Sequence, residues 1–118
     1  MGISIAKEYH MIQEYSIATK YTKNPGARYE RQGNYSGEHF RKTVLEPFFN
    51  TKRKGDILSI DFNGLNGYPS SFLEEAFGGI ARIYPITDVL SSMKFSCTEN
   101  PLIVEDIISY IKQERVSI

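Results

Sequence analysis

The sequence has no surplus of charge of either sign. Its 14 lysines and arginines balance 14 aspartates and glutamates, so the formal net charge is +0. A protein that grips nucleic acid by its phosphates needs a basic footprint, and this composition supplies none. Cysteine is nearly absent: Cys97 stands alone, which excludes a disulfide within the chain and suits a reducing compartment. In "SMKFSC" it is expected to be an inert, strand-buried thiol. Histidine occurs twice, at positions 10 and 39, too sparsely to make a metal set or a catalytic triad. No apolar run approaches the roughly 20 residues of a membrane span. The opening "MGISIAKEYH" lacks the apolar core of a signal peptide and the sixth-position Ser or Thr of a myristoylation pattern. A soluble, cytoplasmic protein is expected, with neither nucleic acid nor membrane as its partner.

With 118 residues, 41% of them apolar and 24% charged, the chain has the size and composition of one globular domain. It can bury roughly two thirds of its unfolded surface. The early segments "SIAKEY" (4–9) and "SIATKY" (16–21) are expected as two short strands forming a hairpin. They are too brief for a structural repeat. "KNPGAR" (23–28) reads as a turn, and "ARYERQG" as a strand ending at Gly33. "SGEHFRKTVLEPFF" places Phe40, Val44, Leu45 and Phe48 on one helical face. Ser36 is suited to cap it, and Pro47 is expected to kink or end it. "TKRKGD" (51–56) is a solvated basic loop without interleaved aromatics.

"DILSIDF" (56–62) looks like a near-continuous apolar strand covered on both faces. After the glycine-rich "NGLNGYPSS" comes a helix from about Phe72 to Ile83, with Phe72, Leu73, Ala76, Phe77, Ile80 and Ile83 as its apolar stripe. Gly78 and Gly79 cost about 1 kcal/mol each in helix propensity, which implies close packing against a backbone. "SMKFSC" is another strand. "ENPLIVEDIISYIKQERV" is a last helix, with Asn100 as cap and Pro101 in its first turn. Alternating strands and helices argue for a single α/β sheet with helical crossovers.

The serines of "GYPSSFLEEAFGG" (67–79) have two readings. Ser71 and Glu74 fit the capping box S-x-x-E, which would occupy both side chains structurally. A helix start that follows a strand also suits an anion. The G-K-[ST] ending of a P-loop and the G-x-S-x-G of a nucleophile elbow are both missing. Asp61 reads as a turn cap, with metal binding or base catalysis as the alternative. Arg28, Arg41 and Arg82 read as members of surface ion pairs or as holders of a phosphate or carboxylate. Glu74 and Glu75 point about 100° apart on a helix and make no ready carboxylate dyad.

The blocks "PGARYERQGNYSGEHFRKTVLEPFF" and "DFNGLNGYPSSFLEEAFGGIAR" resemble the STAS-like domain family of unknown function, over about residues 16–118. Residues 1–15 then form an N-terminal extension or an extra strand. The resemblance implies a STAS-like α/β domain: a mixed β-sheet of five strands or fewer, strand 56–62 at its centre, and about three helices. It implies a bacterial, non-catalytic regulatory module without cofactor or metal. Its partner would be a protein, a histidine-kinase-like ATPase or a kinase. Related anti-sigma-factor antagonists carry a phosphorylated serine where Ser71 or Ser70 stands. Arg28, Ser36, Gly67, Glu74, Glu75 and Arg82 are the candidate partner- or ligand-binding residues. The alternative is a small-ligand-binding or enzymatic domain with its site at the glycine-rich loop and the start of helix 71–83.

Overall fold

The computed structural model describes residues 10–113. The strand expected over residues 4–9 lies outside them. Three strands pair in parallel in the order β1 (Ile12–Ser16), β2 (Ile57–Asp61), β3 (Met93–Ser96). The α/β architecture and the central place of β2 are as expected. Among the described residues, however, the sheet is parallel throughout, not mixed. Residues 12–15, within the segment expected as an N-terminal extension or an extra strand, are the first four of the five residues of β1.

Among the described residues five helices accompany the strands. After β1 comes α1 (Ile17–Lys20), a single turn started by Ser16, whose Oγ accepts from the backbone N–H of Thr19. Residues 16–21 are therefore not the second arm of a hairpin. Nor is "ARYERQG" a strand: it is loop, with one 3-10 turn at Glu30–Gln32. Helix α2 covers 37–51, α3 covers 70–81, α4 is Ile86–Ser92 and α5 is Leu102–Lys112.

Two helices each contain a π-turn. In α2 the wide turn is Arg41–Leu45, where the Glu46 N–H reaches back to the Arg41 carbonyl. Pro47 follows directly in the first turn of the resumed α-helix. A proline inside a regular helix removes one hydrogen bond and collides with the preceding turn. The widened turn places this proline effectively at a new helix start, so the helix neither ends nor breaks there. The extra residue also rotates the apolar face. Phe40, Leu45 and Phe49 are buried, while Val44 and Phe48 drop to the flank. In α3 the π-turn is Glu74–Gly78. Its buried residues are Phe72, Leu73, Ala76, Phe77, Ile80 and Ala81. Ile83, expected in the stripe, lies past the helix end and is 54% exposed.

The strands alternate. Leu58, Ile60, Met93 and Phe95 share one face with Tyr15, and this face meets the helices. There the rings of Phe62, Phe72 and Phe77 join Phe40 and Phe95 with centroids 5.5–6.2 Å apart. The opposite face carries Ile12 beside Ile57, then the row Glu14, Ser59, Lys94, then the row Ser16, Asp61, Ser96. Among the described residues strand β2 is thus covered on one face, not two. The topology explains this: two crossovers of one hand between strands in sequential order place their helices on the same side. Helix α5 packs on that layer through Ile103, Ile107 and Ile111. Its N-cap is Pro101, and the Asn100 side chain does not cap it.

Candidate functional site

The site is built around the start of α3. Beyond β2 the chain turns through residues 62–69. Asp61 Oδ1 accepts from the Asn63 N–H at 2.8 Å, the turn-capping role expected of it. Glu99 Oε1 takes the Gly64 N–H at 2.9 Å. Asn66 ties this loop to residues 23 and 24, through the Lys23 carbonyl at 2.8 Å and Asn24 Oδ1 at 2.9 Å. Pro69 is the N-cap of α3, in extended conformation and without a side-chain cap. Ser70 is exposed and Ser71 half-buried, in the first two helical positions.

The expected capping box does not form. Ser71 lies two positions past the N-cap, and Glu74 does not fold back to it. The Glu74 carboxylate instead accepts from Arg28 at 2.5 Å and from Arg82 at 2.8 Å. Charge-assisted bonds to guanidinium are about twice as strong as the neutral bond to a backbone N–H that the box would offer. Neither serine hydroxyl bonds another described residue.

Glu74 belongs to a six-member network. Arg28 Nη1 also reaches Glu75 Oε1 at 3.5 Å. Arg41 donates from Nε to Glu46 at 2.9 Å and from Nη1 to Glu75 at 2.5 Å. Three guanidiniums meet three carboxylates, so the cluster is neutral. Arg41 and Glu75 are its most buried members, with side chains 13% and 12% exposed. Burial pushes the Glu74 carboxyl up, but the bonds from Arg82 and Arg28 outweigh it and hold the group below its ordinary value. Hydrogen bonding to Glu74 raises Arg28. Burial opposes the charge on Arg41, and its bonds to Glu46 and Glu75 prevail and raise it.

The two glycines of α3 make room for this network. A Cβ on Gly78 would come within 2.6 Å of Glu74 Oε2, and one on Gly79 within 3.0 Å of Arg41 Cδ and Nη1. Their close neighbours are ionic side chains, not the backbone expected. Gly37, in α2, is pressed against the backbone of α3: its Cβ would stand 2.4 Å from the Phe72 carbonyl oxygen.

Arg28, Glu74, Glu75 and Arg82, chosen from the sequence, are therefore brought together, as partners of one another. Glu46 was missed, because no local pattern pairs it with a residue on another helix. Ser36 stands apart. It is fully buried and caps α2, its Oγ accepting from the His39 N–H at 3.0 Å. Gly67 lies in the loop before α3, and a Cβ there would meet nothing within 4 Å.

Other reactive groups are engaged locally. His39 Nδ1 lies 2.6 Å from Tyr21 Oη, and burial raises the Tyr21 phenol above its ordinary value. Cys97 is buried just past the end of β3, with Sγ 3.5 Å from Tyr68 Oη. Among the described residues no three His, Cys, Asp or Glu side chains converge to hold a metal ion, and no helix is long and apolar enough to cross a membrane.

A family model described as "STAS-like domain of unknown function (DUF4325)" matches residues 36–102. The match runs from the cap of α2 to the first residue of α5, and it contains β2, β3 and the whole of α3. No curated protein and no solved structure matches the chain.

Proposed function

The chain belongs to the family of STAS-like domains of unknown function, and from that premise we propose that it is a non-catalytic regulatory module, switched by phosphorylation of Ser71 or Ser70. It would bind a partner protein through the loop and helix around residues 64–82. The partner this reading calls for is a histidine-kinase-like ATPase or another protein kinase.

The observation that carries the reading is the freedom of the two serine hydroxyls at the start of α3, once Pro69 takes the N-cap position. The first N–H groups of a helix have no intrahelical acceptor, and no side chain caps them here. A phosphoryl group brings a charge of about −1.5 to −2 and three strong acceptor oxygens. At a helix N-terminus it meets the positive end of the macrodipole. Two glutamates one turn away would ordinarily repel it. Here both are held by guanidinium groups. Arg82 and Arg28, with side chains 45% and 31% exposed, are the arginines of the network best able to turn toward an added phosphate. The open space at Gly67 leaves the backbone of the preceding loop accessible to a partner.

Two measurements test this. Mass spectrometry of the protein isolated from its native cells is expected to find phosphate on Ser70 or Ser71. In titrations against the protein that co-purifies with it, Asp at the modified serine should change affinity by about 5- to 150-fold. Ser71→Ala should change folding stability by less than about 0.5 kcal/mol, because no cap is lost. An unmodified serine pair, together with unchanged affinity for both Asp variants in folded protein, would refute the switch.

A further inference from the structure

The face of the sheet turned away from the helices is the second feature of this molecule that its fold leaves unexplained. Parallel sheets are ordinarily covered on both sides. This one is bare on one side among the described residues, and the bare side is polar. At the carboxyl ends of the three strands it is hollowed into a groove of about 380 Å³, lined chiefly by Glu14, Ser16, Lys20, Ser59, Asp61 and Ser96.

The polar groups of the groove make few bonds to other described residues. The arginines of the network around α3 are each paired with carboxylates. In the groove, Glu14 has no ion pair with a described residue. The Lys20 ammonium reaches only the Glu14 carbonyl oxygen at 3.3 Å and the face of Tyr15 at 5.7 Å. The hydroxyls of Ser59 and Ser96 bond no described side chain. Ser16 Oγ accepts one N–H and keeps its own proton to donate. Asp61 spends one oxygen on its turn. Register fixes the spacing: Ser16, Asp61 and Ser96 stand in one row across the strands, with Ser59 one row below.

We propose that this groove is a binding site for a neutral polyhydroxylated small molecule of the monosaccharide or cyclitol kind. An anion would meet Glu14 and Asp61. A metal ion would find no three ligands converging among the described residues. An apolar ligand would strand the hydroxyls and charges, each costing free energy when desolvated without a partner. A polyol hydroxyl both donates and accepts, so it pairs equally with carboxylate, ammonium and serine. Neither Ser70 nor Ser71 lines the groove, and its existence does not depend on the proposed switch.

The test is a titration of the full chain, followed by amide NMR shifts, with glucose and myo-inositol as probes and inorganic phosphate and ethylammonium as controls. Saturable shifts are expected with at least one polyol, half-complete below about 10 mM, and confined to residues 14–20, 59–63 and 94–98. Ser59→Val, which fills the groove, and Asp61→Asn, which keeps the turn-capping oxygen, should each weaken binding tenfold or more with the spectrum otherwise intact. Ser96→Ala, at an exposed edge position, is the further variant if either misfolds. Saturation by phosphate or ethylammonium in place of the polyols would overturn the proposal. So would polyol shifts outside these rows, polyol affinities unchanged in the folded variants, or no saturation by either polyol.

Discussion

Replacing Arg41 by methionine tests whether the ion network holds α2 to α3. The Arg41 side chain is 13% exposed and makes two charge-assisted bonds, to Glu46 on its own helix and to Glu75 on α3. Removing one partner of a buried pair costs about 3–5 kcal/mol, because the other charge is left desolvated. Two features lower that figure here. Glu75 keeps Arg28 at 3.5 Å, and Glu46, with a side chain 29% exposed, can rehydrate. Methionine also restores some apolar contact along the aliphatic stem. The net expectation is a loss of about 2–4 kcal/mol in urea unfolding at neutral pH, with little sensitivity to salt because the pair is shielded from screening. The corresponding fall in melting temperature is about 4 °C or more per kcal/mol. In the double variant Arg41→Met/Glu75→Met no orphaned charge remains, and about 1–3 kcal/mol of the summed losses should be recovered as coupling. An Arg41→Met protein within 0.5 kcal/mol of wild type, or a double variant whose loss equals the sum of the singles, would refute the reasoning.

Gly37→Ala should destabilise by at least about 2 kcal/mol in the same assay. The roughly 1 kcal/mol that alanine gains in helix propensity is outweighed by a Cβ 2.4 Å from the backbone oxygen of Phe72, a clash that only separation of α2 from α3 can relieve. A stabilised Gly37→Ala protein would show that the two helices do not approach so closely. Acid should weaken the fold in part through Glu74, whose folded-state value is depressed. Its contribution is complete above the ordinary carboxyl value of about 4.5 and fades as pH falls through the lower folded value. The stability gap between wild type and Glu74→Gln should therefore narrow between about pH 5 and 3. A gap constant over that range, measured by urea unfolding at each pH, would contradict the assignment.

The elements legible in the sequence are those carried by local periodicity. Leu58, Ile60 and Phe62 alternate with Ser59 and Asp61, and that period of two both identifies β2 and tells that one of its faces is polar. The apolar density of the run nevertheless outweighs its two polar positions and suggests cover on both sides. Helix α4 was overlooked although Pro85, Ile86, Val89 and Leu90 give it a start and a helical spacing. The seven-residue segment is short and runs straight into β3. The π-turns were beyond reach, since an apolar residue recurring after five positions belongs to no regular pattern. Their position follows from Pro47 in one helix and from the ionic packing around Gly78 in the other.

The sequence by itself determined an α/β chain, a central strand 56–62 and a helix at the serine pair. It determined these because helical and strand periods, cap residues and turn residues act within a few positions of one another. Tertiary structure alone decided what the polar residues do. Ser71 and Glu74 satisfy a local capping rule, yet Glu74 is taken by Arg28 from 46 positions away. Glu75 is likewise taken by Arg41 from 34 positions away. A guanidinium brought within bonding distance in a partly buried cluster attracts a carboxylate more strongly than a neutral N–H of its own helix does. Which charges come together depends on how α2 and α3 cross, and that crossing is set by Gly37 against the Phe72 carbonyl and by the burial of Phe40, Phe72 and Phe77.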